Sequence, residues 1–229
     1  MVNNSDENPY FTRFGNMEKT TKWLEEQKAG KTVAALIKNG FDAQYIDDVV
    51  TTRNEILTLI PKEAKVGVGG SMTMRQIGVL DALEKRGNRV YDHWKAELSP
   101  EEVLKIRKAH LTCDVFLTST NAVTQEGVLI NTDGVGNRVG AMIFGPGKVI
   151  IVAGVNKIVK DVHSAFRRIK DVVTPRVVRE MGMDIPCAVS GFCSDCNSPM
   201  RACRATVILE RKPFLTDISV LVVGENLGY

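Results

Sequence analysis

The chain has 229 residues, enough for one large domain with a substantial buried core. Apolar residues make up 44% and charged residues 25%, which excludes a disordered, collagen-like or disulfide-scaffold protein. The 30 basic and 27 acidic residues leave a net charge of +3 with no segregated Lys/Arg block, which argues against nucleic acid as a partner.

Residues 1–16 are polar and are expected to be poorly ordered. They show neither the basic start nor the apolar stretch of a signal peptide, and no run in the chain approaches the ~20 apolar residues of a membrane span. A cytoplasmic location is therefore expected. Residues 17–229 read as a single α/β domain that begins with a helical part, 17–60. From Met17 to Lys38, Trp23, Leu24, Val33, Leu36 and Ile37 recur at near-helical spacing, with Gly30 as an interruption. Phe41–Ile46 reads as a strand, and Val49–Ile60 as a helix that stops before Pro61. Lys65–Gly69 is a strand, followed by a helix over Met72–Arg86 that ends at Gly87-Asn88. Arg89–Tyr91 is the next strand. Ser99-Pro100-Glu101-Glu102 then combines an N-cap, a proline at the first helical position and a capping-box glutamate, opening a helix to about Leu111.

Val115–Thr118 is a strand, and a long polar stretch to Arg138 follows, interrupted by Val128-Leu129-Ile130 and opening a short helix. Val149–Ala153 is apolar on consecutive residues, the pattern of a parallel strand buried on both faces. Helices are expected over Ile158–Ile169 and Pro175–Met181, a cysteine-rich loop over 187–203, and strands over Ala205–Leu209 and Ile218–Val223. The alternation of strand and helix predicts a mostly parallel mixed sheet with helices on both faces.

Val66-Gly67-Val68-Gly69-Gly70-Ser71 lies where a buried strand turns into a helix. Gly67, Gly69 and Gly70 let a ligand approach the backbone without meeting a Cβ, and Ser71 adds a hydroxyl. The segment lacks the third glycine of a dinucleotide fingerprint and the Gly-Lys-Ser/Thr of a P-loop, so a small anion is favoured over a nucleotide. The polar stretch supplies a facing wall: Thr118, Ser119, Asn121, Gln125, Asn137 and Arg138 as ligand contacts, with Arg138 suited to a carboxylate. Glu126 and Asp133 are the candidate catalytic carboxylates, able to act as base or nucleophile if desolvated.

Together the Val66–Ser71 loop, the Thr118–Gly127 segment, Asn137-Arg138 and the Val149–Ala153 strand resemble the lactate-utilisation (LUD) domain family, over about residues 17–212. The resemblance implies a fold shared with ribose-5-phosphate isomerase, glucosamine-phosphate deaminase and the CoA-transferases. It also implies a part in the oxidation of L-lactate to pyruvate by a multi-component system. CoA-transferases of the wider group use a glutamate ahead of a glycine, which Glu126-Gly127 resembles. Many members of the LUD family carry the acid one position earlier, where this chain has Gln125.

Cys187, Cys193, Cys196 and Cys203 fall close together, with Cys193 and Cys196 as a C-x-x-C. Such a set can place four sulfur ligands on zinc or an iron–sulfur cluster, and a disulfide or reduced structural thiols are the alternatives. His93, next to Asp92 and Trp94 at a strand end, can reach the glycine loop, whereas His110 and His163 read as packing or surface residues.

The expected function is a cytoplasmic protein with a small-anion or carboxylate site, engaged in lactate-type organic-acid oxidation, with a Cys-ligated metal or cluster. One rival is a stand-alone transferase or isomerase of acyl or sugar phosphates that uses Glu126 or Asp133. The other is a non-catalytic scaffold for an iron–sulfur or oxidoreductase partner.

Overall fold

A computed structural model describes residues 17–229, so the expectation of disorder over residues 1–16 lies outside the described residues. Helix α1 (Met17–Lys38) is continuous through Gly30 and leads into β1 (Asp42–Ile46) and α2 (Val49–Leu59), whose N-cap Asp48 accepts a hydrogen bond from Thr51 N. β2 (Lys65–Val68) follows. The single helix predicted over Met72–Arg86 is two, α3 (Met72–Ile77) and α4 (Val79–Lys85). The break falls at Gly78, whose φ of +70° is incompatible with a continuing right-handed helix. β3 (Arg89–Asp92) and α5 (Pro100–Ala109) come next, α5 with the capping box read from Ser99 and Glu102.

Then come β4 (Val115–Ser119), β5 (Ala122–Thr124), β6 (Leu129–Asp133), α6 (Asn137–Ile143) and β7 (Lys148–Gly154). The helix predicted over Ile158–Ile169 starts later than expected, because Ile158–Val159 pair as a short strand, β8, beside β5. α7 (Val162–Arg168) passes through a π-helical stretch, Ile169–Val173, into α8 (Thr174–Glu180). The chain closes through α9 (Pro186–Ser190), β9 (Ala205–Leu209) and β10 (Asp217–Val223).

Six strands form one wholly parallel sheet in the order β1-β10-β7-β4-β2-β3. Successive residues of the central strands enter different layers. Val66, Leu117, Ile150, Val152 and Leu221 pack with Ile56, Met74, Ile77 and Leu83 of α2, α3 and α4. Phe116, Val149, Ile151, Ala153 and Val220 pack with Ala29 and Leu36 of α1 and Met142 of α6. Each fully buried aliphatic side chain contributes about 1.5–3 kcal/mol, and the strands read as continuous apolar runs because both faces are covered.

A second sheet, β8-β5-β6-β9, takes its two central strands from the stretch predicted to be a polar loop. Its polarity turns inward. Thr120, Thr124 and Asn131 are buried, and each is tied to nearby backbone: Thr120 Oγ1 donates to Ala122 O, Thr124 Oγ1 accepts from Val128 N, and Asn131 Oδ1 accepts from Asn121 N. β9, predicted as a strand, pairs antiparallel with β6.

Candidate functional site

β2, β4 and β7 are neighbours in the parallel sheet, so their carboxyl ends lie side by side. That edge is where open α/β sheets bind ligands. The three ends supply Gly69-Gly70-Ser71, Thr118-Ser119 and the turn Val155–Lys157, and together they line a cavity of about 820 Å³.

The glycine loop is shaped by close packing. A Cβ on Gly69 would stand 2.9 Å from Phe116 Cζ, 3.0 Å from Thr118 Oγ1 and 3.1 Å from Arg138 Cγ. Gly70 has φ +59°, and a Cβ there would stand 2.9 Å from Trp94 Cε2. Both glycines line the cleft. Gly67 does not: the space a Cβ would need is taken by Cys113, Phe116 and His110 beneath the sheet. Gly69 N donates to Leu117 O, and the Ser71 hydroxyl caps α3 by accepting from Met74 N, so these two polar groups are already engaged.

Arg138 is likewise engaged. Its Nε and Nη2 lie 2.9 and 2.7 Å from Asp133 Oδ1. Nη1 donates to Asn131 Oδ1 and Ser119 O, and Nη2 to Asn121 Oδ1 and Thr132 O. Asp133 Oδ2 accepts from Arg138 N and Val139 N at the start of α6. The fork predicted to hold a ligand thus ties β4, β6 and α6 together beside the cleft, and the Asp133 carboxylate is held within that network. Thr118, Ser119, Asn121 and Asn137 line the same cleft. Gln125 and Glu126 do not. Glu126 is exposed in the β5–β6 turn, where its carbonyl accepts from Asn39 Nδ2, and Gln125 accepts from Lys31 at 3.4 Å.

The most distinctive group is one that sequence reasoning missed. Lys157, 4% exposed, projects into the cleft from the turn after β7. Its Nζ donates to Ser119 Oγ at 2.9 Å and lies 3.2 Å from Thr73 Oγ1. Among the described residues no carboxylate stands within ion-pair distance of it. Burial, and then the cations Arg168 and Arg138, push the amine down from 10.5 to about 7. Its signal in the sequence was position alone: it is the first lysine beyond the strongest buried strand, at the carboxyl end.

The rim near β3 carries His93 and Trp94, as the sequence suggested, together with Arg107. Burial, then His110 and Arg107, push His93 down from 6.5 to about 4, so it is a neutral imidazole at pH 7. The buried His93 Nδ1 has no hydrogen-bond partner.

Cys187, Cys193, Cys196 and Cys203 all line one small cavity with Lys170, Ile185 and Arg201. Arg201 fixes the loop by donating to Cys196 O and Cys203 O and pairing with Asp195 at 2.7 Å. All four thiols are unbridged, and among the described residues no three Cys, His, Asp or Glu side chains stand ready around one metal position. Burial, reinforced by the three neighbouring cysteines, raises the Cys187 thiol above its ordinary range. Thr174, Arg201 and Ala202 border both this cavity and the main cleft.

The LUD domain family matches residues 29–223. No curated protein matches the chain. Among solved structures, a DUF162 family protein from Deinococcus radiodurans is 15% identical, with a TM-score of 0.52 over 87% of this chain and 98% of that one, a likeness of fold. No helix among the described residues is long and apolar enough to cross a membrane.

Proposed function

The chain belongs to the LUD domain family, and from that premise we propose that its cleft binds a small organic anion of the lactate type and serves organic-acid oxidation in the cytoplasm. The observation that carries this reading is Lys157. A buried amine with no carboxylate partner, beside Arg138 and Arg168, biases the floor of the cleft toward positive charge, with Asp133 already paired to Arg138. A carboxylate ligand completes that charge balance. Ser119 and Asn121 at the end of β4 and the backbone at Gly70 shape the pocket around it.

Titration calorimetry with L-lactate, pyruvate and acetate tests the proposal. Saturable binding that weakens with rising salt and is lost in Lys157→Met is expected. Absence of binding by every carboxylate tried would overturn it.

We further propose that the four cysteines take zinc or an iron–sulfur cluster. Four sulfur donors on one cavity fit such a centre in kind and number, and Cys187, Cys193, Cys196 and Cys203 would hold it as thiolates. When bound, the group supplies a structural clamp or an electron-transfer centre. The segment's place beside the cleft favours docking of an oxidoreductase partner on that side.

A further inference from the structure

We propose that Lys157 is a covalent anchor: its amine condenses with the carbonyl carbon of a small 2-oxo acid to form an imine in the cleft. The proposal rests on reading the cleft as an organic-anion site, and it adds the ligand's functional group and a reaction class.

Nζ is held rather than free to swing. Ser119 Oγ donates to Val152 O at 2.6 Å, which leaves that oxygen to accept from Nζ at 2.9 Å. Thr73 Oγ1 stands on the other side at 3.2 Å. Gly228 passes close by, and a Cβ there would lie 3.2 Å from Nζ and 2.6 Å from Thr73 Oγ1, so the chain leaves space for the amine and nothing more. The remaining side opens onto the cleft. No other group there is as well placed for covalent chemistry. Asp133 is bound to Arg138 and two backbone N–H groups, Ser71 caps a helix, and Cys113 is buried beneath the sheet with its thiol raised to about 11.

The surroundings suit an uncharged nucleophile. Burial and two nearby guanidinium groups oppose a positive charge on the amine, and no carboxylate restores it. At pH 7 the neutral share of an amine near 7 is roughly a thousandfold that of an exposed lysine.

In the step itself the nitrogen lone pair forms the C–N bond and the carbonyl π pair moves to oxygen. That oxygen takes one proton from the nitrogen, with Thr73 Oγ1 placed as relay. Loss of the hydroxyl with a proton from solvent releases water and leaves a protonated C=N bond. Nothing is oxidised or reduced. The carboxylate of the oxo acid lies in the field of Arg138 and Arg168.

The test treats the 229-residue chain with pyruvate and sodium cyanoborohydride, the added reductant, and maps modified lysines by peptide mass spectrometry. Calorimetry without reductant runs in parallel, with L-lactate as a ligand that has no carbonyl. The expected result is a carboxyethyl group on Lys157, formed at least about tenfold faster than on any exposed lysine and accelerating as pH rises through 7. Pyruvate binding without modification of Lys157 would overturn the imine and leave the organic-anion reading standing. No binding of pyruvate or lactate would overturn both. Labelling spread evenly over exposed lysines such as Lys28 and Lys95 would also overturn the imine. Because the wild-type protein carries the decisive readout, the result does not depend on a variant that folds poorly.

Discussion

Arg138 Nη2 lies 2.7 Å from Asp133 Oδ1, and the two side chains are only 12% and 9% exposed. Two of the residues that the sequence offered as ligand-binder and catalyst are thus each other's partner. Breaking such a pair strands a largely buried charge. Asp133→Ala is expected to cost about 3–5 kcal/mol in urea denaturation, and Asp133→Asn less, since the amide oxygen still accepts from Arg138. Glu126→Gln, in an exposed turn, is expected to change stability by less than about 0.5 kcal/mol. Equal costs at the two positions would contradict this account of Asp133.

Lys157 gives stability a pH dependence of definite sign. Its amine sits near 7 in the folded protein against 10.5 for the ordinary group. Between those values the unfolded chain binds a proton that the folded chain does not, so stability rises as pH increases from 7 toward 10.5 and falls as pH drops back through that window. Lys157→Met should flatten this rise. At pH 7 the variant should be the more stable protein, by on the order of a few kcal/mol. Denaturation curves at pH 7 and pH 9 for both proteins decide the point.

His93 works in the same sense lower on the scale. Its folded value near 4 lies below the ordinary 6.5, so the unfolded state gains a proton first as pH falls from 6.5 toward 4, and stability drops over that range. His93→Phe is expected to unfold less readily on acidification across this window. Thermal melts at pH 7, 6 and 5 show whether the two curves converge.

The glycine loop tolerates little. Gly69→Ala would press a methyl group against Phe116, Thr118 and Arg138, and Gly70→Ala adds an unfavourable positive φ to a clash with Trp94. Each is expected to cost about 1–3 kcal/mol and to weaken carboxylate binding together with stability. Unchanged melting and binding in either variant would show that the contacts give way easily.

For the cysteines, protein purified without oxygen is expected to carry zinc or iron with labile sulfide, measured by elemental and sulfide analysis. Cys193→Ser/Cys196→Ser should lose the metal. An anaerobic wild-type preparation free of both metals would count against the proposed centre.

Much of the architecture is legible in the sequence for simple reasons. Val149–Ala153 carries no polar residue, so only a strand covered on both faces suits it, and the fold places it in the centre of the parallel sheet. Ser99, Pro100 and Glu102 mark the start of α5 because caps act over three residues. The Thr118–Arg138 stretch misleads because polarity in sequence looks like exposure. Here Thr120, Thr124 and Asn131 satisfy one another's neighbouring backbone and fold inward.

The sequence by itself determined the layers, the buried strands, the glycine-lined strand end and the family of this protein, since each rests on local periodicity, capping or close backbone approach. Only the tertiary structure decided which polar groups face the cleft. Glu126 and Asp133 are seven positions apart, but Glu126 lies in the turn that precedes β6 and Asp133 is the last residue of that strand, which advances about 3.4 Å per residue. One ends at an exposed turn and the other in a buried ion pair. Lys157 is one lysine among many until the order β7-β4-β2 sets it beside Ser119 and Thr73 and removes its water. That burial without a countercharge is a property of strand order and packing, which no stretch of neighbouring residues encodes.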